Sequence, residues 1–175
     1  MTCLNVRPGR ACLLAGAALF LFTAPALALA DRHDPAAKPP AGVTTGTCTG
    51  GANAFSVSTN LQTTNARTYK DVTGTTVSFT QGKAGCAEVS FSAEAATVPG
   101  ELLLTQAVLD GKTLCTPAGN IFASDSPSSD LADHAMNYIC PSVAAGDHTA
   151  TIQFRSRFGG KVALDFRTTI VRYTP

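Results

Sequence analysis

Alternation of apolar and polar residues is the feature of this sequence that most restricts its fold. In 87–93 every second residue is apolar, and the segment around Val77 and Phe79 has the same period. Successive side chains of a strand point to opposite faces, so this pattern predicts strands that are buried on one face. The segment 101–109 is more continuously apolar, which predicts a central strand.

Composition agrees with an all-β chain. Thr, Val, Ser, Ala and Gly are abundant, Trp is absent, and long helix formers are few. About eight or nine short strands with tight turns predict an antiparallel β-sandwich. The period of the pattern leaves two topologies open, a jelly roll and an immunoglobulin-like sandwich.

The first thirty residues predict where the protein goes. Two arginines precede the apolar run 11–22, and small residues follow before Asp31. This is the pattern of a secretory signal peptide spanning 1–30, and it predicts a secreted or periplasmic protein. An uncleaved membrane anchor is the alternative, which Pro25 and the small-residue exit disfavour. No other stretch is apolar enough to cross a bilayer, so we predict no membrane span in the mature chain.

The remaining chain divides into a tether and one domain. The Pro-rich segment 31–47 has little to bury and is predicted to be flexible, whereas 48–175 has the length of a single β-sandwich domain. Without the signal peptide, 13 basic residues fall to 11 against 12 acidic ones, a net charge of −1. Such a charge argues against nucleic acid as a partner.

Four cysteines remain after the signal peptide, and an even number in an exported chain indicates disulfides. Of the three possible connectivities we predict Cys48–Cys86 and Cys115–Cys140, because these pairs close the shorter loops and join neighbouring strands. A metal site is the alternative, but the cysteines lack close C-x-x-C spacing and a matching histidine pair.

The last two predicted strands have a readable register. A three-residue loop, 159–161, keeps the apolar residues of both strands on one side. It pairs Phe158 with Val162 and Phe154 with Phe166. The same register places Arg155 opposite Asp165 on the outer face. We therefore predict a hairpin in which Arg155 and Asp165 form a structural pair.

Several segments resemble parts of exported bacterial jelly-roll modules. The clearest is 144–152, in which Gly146 and His148 precede a late strand, and 89–94, 109–111 and 167–169 are similar to companion segments. The resemblance covers roughly 75–173 and favours the jelly roll over the immunoglobulin-like topology. Such modules have varied or unassigned roles, so the resemblance does not assign a function.

Two histidines are candidate catalytic residues. Asp133 precedes His134 and Asp147 precedes His148, and a general base oriented by a carboxylate uses these residue types. Adjacent residues of a strand point to opposite faces, so neither dipeptide forms such a pair by itself. We predict a structural role for His148 at the corner after Gly146, no catalytic residues, and no enzyme activity.

Patterns that would indicate a metal site or a charged binding surface are also weak. Asp125, Asp130 and Asp133 crowd one polar loop, but their spacing does not match a calcium-loop template. We predict no metal and no cofactor. Basic residues near the end of the chain are able to meet an acidic partner or to form a solvated face: Arg155, Arg157, Lys161, Arg167 and Arg172.

The prediction for function is an exported, non-catalytic β-sandwich that binds a protein or a cell-surface component. One alternative is a carbohydrate-binding module, which the resemblance suggests but the short supply of aromatic residues outside the core opposes. A hydrolase that uses His148 or His134 is the other alternative. The partner, whether protein or glycan, the oligomeric state and the role of the loop 125–133 stay open.

Overall fold

The computed structural model describes residues 51–124 and 131–175. The predicted signal peptide, the predicted tether, Cys48, Asp125 and Asp130 lie outside these residues. In the described ranges no helix is long and apolar enough to cross a membrane. The same ranges form eleven strands: β1 (Ala52–Ser58), β2 (Gln62–Thr64), β3 (Lys70–Asp71), β4 (Val77–Gln81), β5 (Gly85–Thr97), β6 (Leu102–Leu109), β7 (Thr113–Leu114), β8 (Asn120–Ser124), β9 (Ala132–Val143), β10 (Gly146–Ser156) and β11 (Val162–Tyr173).

The strands form two antiparallel sheets that enclose one core. The first sheet has the order β1-β11-β5-β9, with β2 also on β11, and the second has the order β3-β10-β6-β7, with β4 on β10 and β8 on β6. Three pairs of short strands, β1 with β2, β3 with β4 and β7 with β8, each occupy one position at a sheet edge. If each of these pairs counts as one position and the eight positions are numbered in chain order, the two sheets have the orders 1-8-3-6 and 2-7-4-5. This is the strand order of a jelly roll. The predicted β-sandwich is confirmed, and its topology is that of a jelly roll.

The alternating segments supply the core as predicted. β4 and β5 bury the apolar residues of their patterns and leave the intervening positions more exposed. Phe91 of β5 meets Phe122 of β8 between the sheets, with ring centroids 5.1 Å apart. β6 lies between β10 and the β7–β8 edge, in agreement with its continuous apolar run. Removal of these apolar faces from water is the main force that holds the two sheets together.

The predicted hairpin between the last two strands is wrong. β10 belongs to the second sheet and β11 to the first, so Arg155 pairs with Leu104 of β6 whereas Asp165 pairs with Glu94 of β5. Arg155 and Asp165 therefore do not face each other. The prediction required only that the apolar residues of both strands lie on the same side. This requirement is also met when the connection 157–161 crosses from one sheet to the other, because each strand still turns its apolar face to the shared core.

A β-bulge in β11 explains a second difference. The register with β5 shifts between Asp165 and Thr168, and the extra residue Phe166 has φ +40°. Phe166 is exposed, as is Phe158 in the crossing connection, although both were assigned to the apolar face. A bulge places two successive residues on the same side of a strand, so Phe166 is displaced from the core face.

The Cys115–Cys140 disulfide is confirmed, with the two Cα atoms 4.3 Å apart. Cys115 follows β7 at one edge of the second sheet, and Cys140 lies in β9 at one edge of the first sheet. Thr116 and Ile139 form a backbone bridge beside the disulfide. The covalent bond thus joins the two sheets at their edges. Cys86 is also disulfide-bonded, and its predicted partner Cys48 lies outside the described residues.

Candidate functional site

The structure places His148 at the corner where the chain enters β10. Gly146, two residues earlier, has φ +128°, a conformation that residues with a Cβ rarely adopt. His148 lies opposite Phe79 of β4, and the two ring centroids are 5.6 Å apart. The local sequence therefore sets the turn, and the sheet register brings the imidazole beside β4.

The partner of His148 is Asp110 rather than the adjacent Asp147. Nδ1 of His148 lies 2.8 Å from Oδ2 of Asp110, and the backbone N–H of Thr149 donates to the other carboxylate oxygen at 2.8 Å. Nε2 of His148 lies 3.0 Å from the carbonyl oxygen of Ala144. Asp147 instead accepts a hydrogen bond from the hydroxyl of Thr80 at 2.7 Å.

This geometry favours the protonated imidazole. A carboxylate and a carbonyl only accept hydrogen bonds, so both contacts are satisfied when both ring nitrogens carry protons. The hydrogen bond to Asp110 raises the pKa of His148 above its ordinary value, and the carbonyl of Ala144 acts in the same direction. Burial alone would raise the pKa of Asp110, but hydrogen bonds from His148 and Thr149 lower it below its ordinary value.

The surface beside this pair is a depression of about 410 Å³. It is lined by hydroxyl groups, two carboxylates and two rings: Ser78, Phe79, Thr80, Asp110, Asp147, His148 and Thr149. A general base needs a free lone pair within reach of the proton that it removes. Here Nε2 of His148 is bonded to Ala144. The structural role of His148 stays a prediction, and it is supported by the contacts of the imidazole with Asp110 and Ala144.

The other predicted polar residues are dispersed. His134 packs against Phe122, with ring centroids 5.5 Å apart, and Asp133 lies opposite Glu94. Among residues 51–124 and 131–175 no group of three His, Cys, Asp or Glu side chains is placed to hold a metal ion. The basic residues of the last two strands do not form one cluster, because Arg155 lies on the second sheet, Arg167 is buried, and Arg172 pairs with Glu88 at 3.4 Å.

We expect His148→Ala to lower the free energy of unfolding by about 1 kcal/mol near pH 5.5, since one partner of this charged hydrogen bond is half-exposed. Because the pKa of His148 is raised in the folded state, its contribution to the free energy of unfolding is complete below the pKa of histidine in the unfolded chain. The contribution is lost as pH rises through the pKa of His148 in the folded protein. The lowered pKa of Asp110 makes its contribution fall away at acidic pH. Denaturant unfolding of both proteins from pH 4 to pH 9 measures the difference.

The control for this prediction is Asp110→Asn, which removes the carboxylate charge and should flatten the same pH curve. A stability difference that is constant with pH, or that grows toward pH 9, would contradict the ion pair. An unchanged melting curve together with lost ligand binding or turnover in His148→Ala would overturn the structural role.

The outer face of the first sheet carries a second candidate site. Phe55 and Val57 of β1 point outward and are 72% and 60% exposed. Phe55 lies opposite Ile170 on β11, and directly opposed side chains on one face of a sheet are in contact range. Leu61, just before β2, and Phe166, in the bulge of β11, are also exposed, and β1 and β2 both pair with β11. We call this set the apolar patch: Phe55, Val57, Leu61, Phe166 and Ile170.

An acidic row crosses the same face. Asp165 of β11 lies opposite Glu94 of β5, and Glu94 lies opposite Asp133 of β9. In the described part of the chain, no lysine, arginine or histidine forms an ion pair with these three carboxylates. Like charges directly opposite one another destabilise a sheet, so this acidic row has an unfavourable electrostatic energy in the isolated chain.

Sequence reasoning missed both features. It assigned Phe166 to the core face, because the bulge cannot be read from the alternation alone. It also had no means of aligning Asp133, Glu94 and Asp165, which come from three strands far apart in the chain. The visible signal was the break in alternation after Phe166, where Ile170 and Val171 are both apolar.

Comparisons with known proteins add little to this description. No protein-family model matches the chain, and no curated protein matches it. A structure of a family GH115 4-O-methyl-α-glucuronidase, BtGH115A, with specificity for decorated arabinogalactans, is 13% identical with a TM-score of 0.36 and covers 67% of this chain and 18% of that chain. The CBM36-1 domain of a multidomain xylanase from the hindgut metagenome of Trinervitermes trinervoides is 12% identical with a TM-score of 0.34, over 68% of this chain and 96% of that chain.

A third similar structure is that of infectious bursal disease virus Gx strain, which is 10% identical with a TM-score of 0.37, over 77% of this chain and 37% of that chain. The chain thus spans 18% of the glucuronidase and 37% of the viral chain. At these TM-scores the likenesses carry no argument about function, and the jelly-roll topology rests on the strand order itself.

Proposed function

We propose that this chain is an exported, non-catalytic β-sandwich that binds a protein partner through the apolar patch and the acidic row. The observation that carries the proposal is the exposure of four large apolar side chains of the apolar patch, with the half-buried Ile170 opposite Phe55. Single exposed apolar residues are normal, whereas contiguous apolar surface marks a site of interaction. The partner is a protein of the cell surface or its surroundings, because the predicted signal peptide and the Cys115–Cys140 disulfide both fit an oxidising compartment.

The charges of the first sheet define the chemistry of that partner. Among residues 51–124 and 131–175, Asp165, Glu94 and Asp133 form no ion pair, and Asp165 interacts with a cation only through the charge of the buried Arg167. A partner with Lys or Arg beside apolar side chains relieves the repulsion among the three carboxylates. Apolar contact supplies most of the affinity, and the charges align the two surfaces. Binding should therefore weaken as salt concentration rises.

A non-catalytic role is part of the proposal. The Asp110–His148 pair resembles the orienting half of a catalytic triad, but the second ring nitrogen faces the carbonyl of Ala144. Catalysis by this pair requires that Nε2 be freed to meet a nucleophile. The hydrolase alternative predicts a measurable hydrolysis that is lost on changing His148 or His134.

The test is a double variant, Phe55→Thr with Phe166→Asn. Thr suits a strand, and Asn tolerates the positive φ of residue 166, so the fold should be retained. We expect the variant to lose partner binding by about tenfold or more, because exposed aromatic residues are frequent anchors of interfaces. The measurement is capture from the native secretome by wild type and variant, followed by affinity measurement on the recovered protein.

The matched control is Leu114→Thr, which removes an exposed apolar side chain from the second sheet. It should leave binding unchanged. Equal capture by wild type and the double variant would refute the proposed surface. Binding to glycans on an array that depends on Phe55 and Phe166 would instead support the carbohydrate-binding alternative, since aromatic rings stack on sugar faces.

A further inference from the structure

Two arginines near the end of β10 are held in place. The guanidinium of Arg155 lies over the ring of Tyr69, 5.1 Å from its centroid. Nε and Nη2 of Arg67 both donate to the carbonyl oxygen of Phe158. The backbone of Ser156 donates to Ala66 at 2.9 Å, which keeps the 65–69 segment beside the end of β10. We call Arg67, Tyr69 and Arg155 the arginine cluster.

Neither arginine of this cluster has a carboxylate partner within residues 51–124 and 131–175. Glu101 lies at the same corner, but its two carboxylate oxygens accept hydrogen bonds from four backbone N–H groups. Guanidinium groups bind carboxylates, sulfates and phosphates through parallel hydrogen bonds. Two oriented guanidinium groups without counterions therefore form a preorganised site for anions.

A row of neutral hydrogen-bonding groups extends the arginine cluster along β10. Gln153, two residues before Arg155, lies on the same face of the strand. Its side chain donates to Asp71 at 2.8 Å and accepts from Gln106 at 2.8 Å. Thr151 follows on this face, with its hydroxyl 3.0 Å from that of Thr76. Amide and hydroxyl groups of this kind bind the hydroxyls of a sugar.

We infer that the second sheet binds an acidic glycan, a polymer of hydroxylated rings that carry carboxylate or sulfate groups. Arg155 and Arg67 bind the anionic groups, while Gln153 and Thr151 hydrogen-bond the ring hydroxyls of neighbouring residues. This site is separate from the proposed protein-binding surface, which lies on the other sheet. The site combines fixed cations with neutral donors and acceptors and with the Asp71 carboxylate beside Gln153, so charge alone does not describe the ligand.

The experiment uses pairs of polymers that differ in one feature. Polygalacturonate against its fully methyl-esterified form tests the carboxylate, and dextran sulfate against neutral dextran tests the sulfate. Polyglutamate presents carboxylates without sugar hydroxyls. We expect the wild-type chain to bind polygalacturonate or dextran sulfate at least about tenfold more tightly than the neutral partner polymer, with affinity that falls as salt rises. The stronger of the two anionic polymers identifies the group.

The variants assign the binding to the cluster. Arg155→Gln and Arg67→Gln should each weaken it about tenfold, and Arg155→Lys should retain more of it because the charge remains. Lys112→Gln removes an exposed cation from the turn at the other end of β6 and should change nothing. Retained circular dichroism and melting temperature show that each variant is folded.

Three results would overturn this inference. The first is no binding of either anionic polysaccharide at low salt. The second is binding that Arg155→Gln and Arg67→Gln leave unchanged. The third is equal binding of polyglutamate, which would identify an acidic polypeptide as the ligand instead. None of these outcomes depends on Phe55 or Phe166, so the proposed protein-binding surface is tested separately.

Discussion

Glu101→Ala should lower the free energy of unfolding by about 3–5 kcal/mol, because it removes a buried acceptor of four backbone hydrogen bonds. One carboxylate oxygen accepts from the N–H groups of Leu102, Arg157 and Phe158 at 2.9, 2.9 and 2.8 Å. The other accepts from Gly160 at 2.5 Å. Loss of the carboxylate leaves these groups unpaired in the connection that carries the chain from β10 to β11.

The same contacts predict a pH dependence. Burial alone would raise the pKa of Glu101, but hydrogen bonds from the backbone of Phe158, Leu102 and Gly160 lower it below its ordinary value. Because the pKa of Glu101 is lowered in the folded state, its contribution to the free energy of unfolding is present above the pKa of glutamate in the unfolded chain. The contribution is lost as pH falls through the pKa of Glu101 in the folded protein. The difference between wild type and Glu101→Ala should therefore be constant near neutral pH and shrink at acidic pH.

Two further variants sharpen this test, all measured by denaturant unfolding. Gly160→Ala keeps the charge, but its Cβ would lie 2.7 Å from Oε2 of Glu101, so it should destabilise the same connection. Glu94→Ala removes a half-buried carboxylate from the outer face of the first sheet and should change stability by less than about 0.5 kcal/mol. A loss below about 1 kcal/mol in Glu101→Ala would show that water replaces the carboxylate.

Removal of the Cys115–Cys140 disulfide should lower the free energy of unfolding by about 3–4 kcal/mol in the chain-entropy model. The two cysteines are 25 residues apart in the sequence, and both are fully buried. Without the bond the unfolded chain gains conformations, and the edges of the two sheets are held only by backbone contacts such as Thr116 with Ile139. The measurement is equilibrium unfolding of Cys115→Ala with Cys140→Ala.

The control is wild type under reducing conditions, which breaks every disulfide and should be at least as unstable as the double variant. A double variant within about 1 kcal/mol of the oxidised wild type would contradict the predicted role of the bond. Non-reducing peptide mapping tests the other predicted pair, Cys48–Cys86. A peptide that joins Cys86 to any cysteine other than Cys48 would refute that pairing.

The alternation in 87–93 was sufficient to predict the buried face of β5, because the side-chain period of a strand is a local property of the backbone. The continuous run in β6 likewise predicted a strand in the interior of a sheet. The pairing of Cys115 with Cys140 was predicted correctly from the short loop that it closes and from the expected proximity of the two strands. Local patterns were therefore enough for the fold class, and the resemblance of 144–152 favoured the right topology.

The candidate sites depend on contacts between distant parts of the chain. Asp110 and His148 are 38 residues apart, and Phe55 meets Ile170 only because β1 pairs with β11. Strand parity excluded the adjacent Asp147 as the partner of His148 but did not identify Asp110 in its place. A polar side chain is paired by whatever backbone or side chain the fold brings near it, and no local pattern contains that information.

By itself, the sequence determined several of the strands, the buried faces of β4 and β5, the β-sandwich class and one disulfide of this protein. Only the tertiary structure decided that β10 and β11 join different sheets, which separates Arg155 from Asp165 and leaves Phe158 exposed in the connection. It also placed the bulge in β11 that turns Phe166 away from the core. It also decided that Glu101, at the start of an apolar strand, closes the connection between β10 and β11. The physical reason is that alternation specifies which face of a strand is buried, whereas the choice of neighbouring strand is made by the packing of the whole chain.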